Sequence, residues 1–293
     1  MQNDKLKNYL HLHFIVFIWG FTAVLGALIT LEAFSLVWYR MLLAVLVIGV
    51  YIVFKKFPIA VSRKTLWLLL ATGVIIALHW VTFFMAIKVS NVSITLATLS
   101  TGAFFTSLLE PFFYKRKIIW YEVFFGLLVI IGLSIIFSVK GNYTAGILLS
   151  LISAILAACF ALINGKLVKQ ERPSVIAFYE MGAGVLFLSM YVLFADGFNA
   201  QFFKLSSADW LYLFLLASVC TAYAFIASVK VMRHISPYSV MLTTNLEPVY
   251  GILLAYFILG DAEKMETNFY IGGAIILITV IANGILKTRD ARK

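Results

Sequence analysis

PYSVMLTTNLEPVYGILLAYFILGD, residues 237–261, is almost wholly apolar and long enough to cross a bilayer, yet carries Thr243, Thr244, Asn245, Glu247 and Pro248 near its centre. An ionisable side chain at membrane depth is expensive unless it faces protein or water, so it marks a functional site by default. Pro248 lacks the backbone N–H that a helix interior needs, which loosens the chain around the carboxylate. The stretch therefore reads as a membrane-spanning helix that forms the floor of a cavity.

The rest of the chain has the composition such a helix requires. Of its 293 residues, 63% are hydrophobic and only 12% charged, against about 25% charged in soluble domains. Apolar runs of about 20 residues recur from end to end, and nothing between them is long or polar enough for a separate soluble domain. The net charge of +10 sits in short basic clusters between apolar runs. That distribution fits anionic lipid and topology control rather than nucleic acid. Cys159 and Cys220 lie inside apolar runs without CxxC or Cys/His spacing, so no metal and no cofactor is expected. The first run, Leu12 to Leu31, is too long for a signal-peptide core, lacks a small-x-small cleavage site and is followed by further spans. It reads as the first helix.

Ten spans result, at 8–31, 34–54, 65–87, 92–113, 118–138, 146–167, 174–195, 209–230, 237–259 and 268–287. Turn residues punctuate the joints: Pro58, Gly141-Asn142, Pro173, Asp196-Gly197, Pro237 and Gly260-Asp261. Of the 23 lysines and arginines, 18 fall at one set of ends, among them Arg116, Arg292 and Lys293, and only Lys88, Lys140, Lys204 and Lys264 at the other. Positive charge stays inside, which puts both termini in the cytoplasm. Trp38, Trp67, Trp120 and Trp210 sit near span ends, where indole rings anchor, whereas Trp19 and Trp80 fall well inside spans one and three.

The two halves of the chain, 1–140 and 141–293, echo each other. WYRM at 38–41 matches FYEM at 178–181, and the same offset pairs Val45 with Val185, Tyr51 with Tyr191 and Phe54 with Phe194. Trp67-Leu68 corresponds to Trp210-Leu211, and Gly126 to Gly272. Five spans per half is an odd number, so the second half inserts upside down relative to the first. Inverted repeats with a site near the midplane are common in secondary transporters.

The chain resembles the drug/metabolite transporter superfamily, specifically its EamA-like ten-helix exporters. The resemblance rests on Trp19-Gly20, Tyr39-Arg40, the Ala86-Ile87-Lys88 exit of span three, Leu246-Glu247-Pro248 and Leu259-Gly260-Asp261, in that order over the whole chain. It implies an all-α integral membrane protein of ten helices, arranged as two inverted five-helix repeats around a central cavity. It also implies that spans one to four and six to nine line that cavity, with spans five and ten peripheral. The implied activity is export of small metabolites, such as amino acids, across a bacterial-type inner membrane by alternating access. One departure stands out: span four has Gly102-Ala103 where the family often has a proline opposite that of span nine.

Depth sorts the charged candidates. Glu247 lies ten residues past Pro237, about 15 Å into the membrane, and two readings stand: a proton carrier or ammonium contact, and a structural carboxylate. Glu110, also followed by proline, falls almost at the cytoplasmic end beside Lys115 and Arg116. Arg40 lies about 9 Å inside the outer face, as a clamp for a substrate carboxylate or a snorkelling side chain. Glu180, at the mirror depth, is either a gate charge or, as expected here, a partner of loop cations such as Lys169 or Arg172, and Asn164 is expected to cap its helix. Thr98, Ser100 and Thr101 in span four share a level with Thr243, Thr244 and Asn245 in span nine, as solute contacts or as helix glue. His79-Trp80, with Trp19 and Tyr223, forms an aromatic wall or ordinary packing. No phosphate-binding glycine loop, HExxH or Ser/His/Asp order suggests a pump or an enzyme. The expected partners are a small solute, the lipid bilayer and protons through Glu247, in a monomer or weak dimer. The alternatives are an uncoupled facilitator and, in another class, a membrane enzyme or sensor.

Overall fold

The computed structural model describes residues 2–115, 117, 120–137, 143–195 and 197–290. The turn Gly141-Asn142, Asp196, and the basic residues Arg116, Lys140, Arg292 and Lys293 lie outside the described residues. The helices are α1 (Gln2–Leu28), α2 (Ala33–Phe54), α3 (Arg63–Val89), α4 (Val92–Leu99), α5 (Gly102–Tyr114), α6 (Trp120–Phe137) and α7 (Thr144–Leu167). They continue as α8 (Pro173–Phe194), α9 (Ser207–Ala217), a π-helical segment (Ser218–Tyr223), α10 (Ala224–Val231), α11 (Pro237–Thr244), α12 (Glu247–Leu259) and α13 (Thr267–Asp290). No strand occurs among the described residues.

Among those residues, eight helical spans are long and apolar enough to cross a membrane, and two shorter apolar helices, Phe124–Ile136 and Thr267–Asn283, accompany them. This is an integral membrane fold. Helix starts follow local chemistry: the Ser62 hydroxyl accepts from Thr65 N at 3.1 Å, Asn91 Oδ1 from Ile94 N at 2.8 Å and Ser236 Oγ from Ser239 N at 3.2 Å. Each satisfies an N–H that a first turn leaves orphaned, which matters more where lipid replaces water. Pro173 and Pro237 sit in first turns, where a missing N–H costs nothing.

Two spans expected as continuous helices are broken instead. Residues 92–114 split into eight- and thirteen-residue helices around Ser100-Thr101, and 237–259 splits identically around Asn245-Leu246. The breaks are tight turns: Thr101 N donates to Thr98 O at 3.1 Å, and Leu246 N to Thr243 O at 3.0 Å. Pro248 explains the second break, since it cannot donate to the helix and fits the first turn of α12. Gly102-Ala103 holds the corresponding place in α5, so span four breaks without a proline.

Small residues bring these pieces together. A Cβ on Gly20 of α1 would stand 2.8 Å from Tyr250 Cβ of α12, and Gly251 packs on Leu96 of α4 and on the Gly20 carbonyl. Gly132 of α6 and Gly272 of α13 face each other's carbonyl oxygens, which pairs these two helices outside the rest of the bundle. α3 lies at the centre, packed against α7 on one side and α8 on the other. There a Cβ on Gly73 would run into the Glu180 carbonyl oxygen and stand 2.7 Å from Ala183 Cβ. Backbone cannot rotate away as a side chain can, so Gly73→Ala must push α3 from α8. The expected cost is about 1–3 kcal/mol, read as a lowered thermal midpoint in detergent, with Gly182→Ala, whose Cβ meets only Val45 at 3.9 Å, as the silent control.

One end of the bundle, which we call the upper end, gathers the joints near residues 30, 90, 200 and 263. Asp209 accepts from Thr30 N and Thr30 Oγ1, both at 2.8 Å, and from Ser206 Oγ at 2.7 Å. Glu263 accepts from Val92 N at 2.9 Å and Ser93 N at 2.8 Å, capping α4 with both oxygens. Lys88 donates to Ile29 O. At the lower end Tyr179 Oη donates to Ile59 O at 2.9 Å, Arg233 to Val168 O at 3.1 Å and Tyr114 Oη to Leu162 O at 3.1 Å.

Candidate functional site

The two helix breaks meet where α12 packs on α4 and α11 on α5, and a cavity of about 100 Å³ opens beside them. Nine of the residues singled out from sequence line it: Trp19, Arg40, His79, Trp80, Ser100, Thr244, Asn245, Glu247 and Pro248. The lining reaches down to Met232 and Val240, next to a lower joint.

Among the described residues Arg40 is the largest fully buried side chain, only 2% exposed. It does not snorkel. Its Nε donates to Thr221 Oγ1 at 2.7 Å, and its guanidinium lies 3.8 Å from the centre of the Trp80 ring. A desolvated cation over an indole face is held by about 2 kcal/mol. Nη1 is buried and finds no partner among the described residues.

The anchor for Arg40 depends on a local irregularity. In the π segment the Thr221 hydroxyl donates back to Leu216 O, five residues earlier, at 2.7 Å, while its oxygen receives Arg40. Widened turns of this kind free backbone carbonyls and concentrate at functional sites. Cys220 O, in the same segment, accepts the Trp19 indole N–H at 3.2 Å, which fixes that ring in the wall.

Glu247 begins α12, 7% exposed, with its carboxylate on the cavity. No hydrogen bond or ion pair joins it to a described residue; Arg40 is close enough to act on it electrostatically without touching it. The site thus holds one cation and one carboxyl group apart. Around them stand Trp19, Trp80, Phe83, Phe160 and Phe225, with Met232 and Met241 below. His79 finds its polar partner in Ser153 of α7: Nδ1 lies 2.8 Å from the Ser153 hydroxyl and 2.9 Å from its carbonyl oxygen.

Two other candidates lie elsewhere. Thr98 is fully buried and absent from the cavity lining. Tyr223 is 43% exposed on the outside of the bundle, where its hydroxyl meets His11 Nε2 at 2.9 Å. The hydroxyl clusters serve their own helices: Ser100 Oγ donates to Ala97 O, Thr101 to Thr98 O, Thr243 to Ser239 O and Thr244 to Val240 O. Such back-bonds bend a helix, which fits their place at the breaks. Glu180 pairs with neither Lys169 nor Arg172 but with Asn164, whose amide donates to it at 3.2 Å; Asn164 is accordingly no helix cap. α8 contributes nothing to the lining, although span seven was expected to.

Sequence reasoning missed Thr22, Phe160, Phe225 and Thr221. The first three look like ordinary apolar-helix residues. Thr221 could be recognised only through the π segment.

Comparison with known proteins agrees with this architecture. The model of the EamA-like transporter family matches residues 7–138 and again 144–284. Two proteins of Archaeoglobus fulgidus, each described as an uncharacterized transporter, are similar. One is 28% identical over 152 residues, a match spanning 52% of this chain and only 52% of the relative. The other is 24% identical over 289 residues, 95% of this chain and 97% of that protein. A solved crystal structure superposes with a TM-score of 0.69 at 14% identity over 95% of this chain and 96% of that one, which shows the shared fold. With both stretches of the chain matched by one family model, and the helices closed around a cavity, the chain belongs to the EamA-like transporter family.

Proposed function

We propose that this protein is a secondary transporter that exports small amphipathic zwitterions, amino acids among them, by alternating access. The observation that carries the reading is one aromatic-walled cavity lined by both Arg40, whose Nη1 has no described partner, and the Glu247 carboxyl group. A solute carboxylate fits the arginine, its ammonium the glutamate, and an apolar side chain the rings around them. Both protein charges then gain the partner that low-dielectric burial demands.

The chain is read as ten spans in two inverted halves, 1–140 and 141–293. The equal lengths of the broken helices, eight then thirteen residues in each half, support this. So does a family model that matches each half separately. The basic joints orient the lower end and both termini to the cytoplasm of an inner-membrane-type bilayer. With Asp209, Glu263 and Lys88 fastening the upper end, the conformation is closed to the outside. Glu247 is the proton carrier in this reading. A second reading, an uncoupled facilitator, is favoured by the position of Glu247 in the first turn of α12, where the helix dipole stabilises a carboxylate without any transport role.

Reconstitution tests the proposal. Proteoliposomes should exchange radiolabelled aromatic and large apolar amino acids and ignore the matching amino-acid amides and deaminated acids, each of which lacks one of the two charges. Equal exchange of zwitterion and amide would refute the two-charge site.

A further inference from the structure

Glu180 of α8 is fully buried and takes no part in the cavity. Its Oε2 accepts the Asn164 amide at 3.2 Å, and its Oε1 is buried without a partner. Asn164 Oδ1, on the other side of the same contact, is also buried without a partner. Two orphaned acceptors in one buried pair are what a carboxylate and an amide leave when a single proton is missing. A hydroxyl on Oε1 would donate to Asn164 Oδ1 while the amide N–H donates to Oε2, and every polar atom of the pair would be satisfied.

The surroundings offer no other way to satisfy them. α2 meets α8 through Gly49 on Phe178 and Val45 on Gly182, whereas its Arg40 is committed to Thr221 and Trp80 and Lys55 is exposed beyond its end. α3 brings Gly73 against the Glu180 carbonyl; its Arg63, Lys64 and Lys88 are exposed, and His79 is bound to Ser153. On α10 the one charge is Lys230, exposed, and on α7 it is Lys166, over the Phe113 and Tyr114 rings. α8 carries no second charged residue, and Arg172 before it lies over Phe57 at 4.5 Å.

We propose that Glu180 is a proton-binding site in its own right, separate from the cavity, in which the neutral acid and Asn164 close a cyclic acid–amide pair. Losing that proton turns two acceptor oxygens toward each other at the lower end of α7. Beside this pair, Gly165 packs on Pro237 and Tyr114, so the pair ties α8 to the end of α7 that meets α5 and α11. This occupancy does not depend on the transport reading, because it rests on Glu180 and Asn164 alone.

Infrared spectroscopy of the purified full chain in detergent at neutral pH tests it. A protonated-carboxyl C=O band is expected that Glu180→Gln removes and Glu247→Gln leaves in place. Glutamine supplies the N–H that Asn164 Oδ1 lacks, so this variant should elute as a monodisperse species. Asn164→Leu should keep the band but shift it to higher wavenumber as the carbonyl loses its donor. Identical acid-region spectra for the parent and Glu180→Gln would overturn the protonation. An unshifted band in Asn164→Leu would overturn the pairing.

Discussion

Proteoliposomes carrying Glu247→Gln are expected to exchange substrate more weakly than the parent, since glutamine offers the ammonium a carbonyl oxygen but no charge, and not to concentrate it at all against a gradient when a pH difference is imposed. The magnitude follows from the driving force. One proton moved across one pH unit supplies about 1.4 kcal/mol, so a one-proton coupling allows roughly tenfold accumulation per pH unit. The variant should reach no accumulation, a difference of roughly tenfold per unit that grows with the gradient. Glutamine keeps the shape and a dipole at the start of α12 but cannot carry a proton, so a merely structural carboxylate would leave accumulation unchanged. That outcome would favour the uncoupled facilitator. Complete loss of exchange together with accumulation would make the Glu247 charge indispensable to binding the ammonium and leave the proton-carrier role without support.

Arg40 should give the larger effect on affinity. A charge-assisted hydrogen bond to a carboxylate contributes about 1.5–3 kcal/mol, so Arg40→Ala should weaken a zwitterionic solute by roughly 10- to 150-fold. The same substitution should leave whatever residual affinity the amino-acid amide has unchanged. Protein stability should respond less than affinity. The contacts to Thr221 and Trp80 are lost, but so is the cost of keeping a guanidinium out of water, and the two oppose each other. Arg40→Lys should restore little, because an ammonium cannot donate sideways to Thr221 while stacking on Trp80 and reaching solute. Titrations of each variant with zwitterion and amide decide this; an equal loss for both ligands would mean that Arg40 only shapes the cavity.

Much of this architecture is legible in the sequence because lipid enforces it. Apolar runs of bilayer length must be helices, and their observed ends lie within a few residues of the expected ones, such as 237–259 and 92–114. The convergence of Trp19, Arg40, His79, Trp80, Ser100, Asn245, Glu247 and Pro248 is legible for the same reason: polar or amphipathic groups at depth need shelter from lipid. What failed was rotation about a helix axis. Thr98 lies two residues from Ser100, about 200° around the helix, so both could not face the cavity. Tyr223 was expected in the aromatic wall with Trp19 and His79-Trp80, and it ends a π segment whose turns are wider than those of a regular α-helix. The partner of Glu180 was out of reach as well. Lys169 and Arg172 are near in sequence, whereas Asn164 is brought to it only by the way the chain folds back around α3.

The upper end has a one-sidedness with a consequence for how such a chain can be built. Both carboxylates that fasten it, Asp209 and Glu263, come from after residue 143, and the Thr30, Val92 and Ser93 N–H groups they hold all come from before it. Two copies of the first half would have donors at that end without these acceptors, and two copies of the second would have the acceptors without those donors. At this end the stretches before and after residue 143 are therefore not interchangeable. Whatever symmetry the chain retains in its broken helices, its closure is a lock and a key, and neither piece can serve as both.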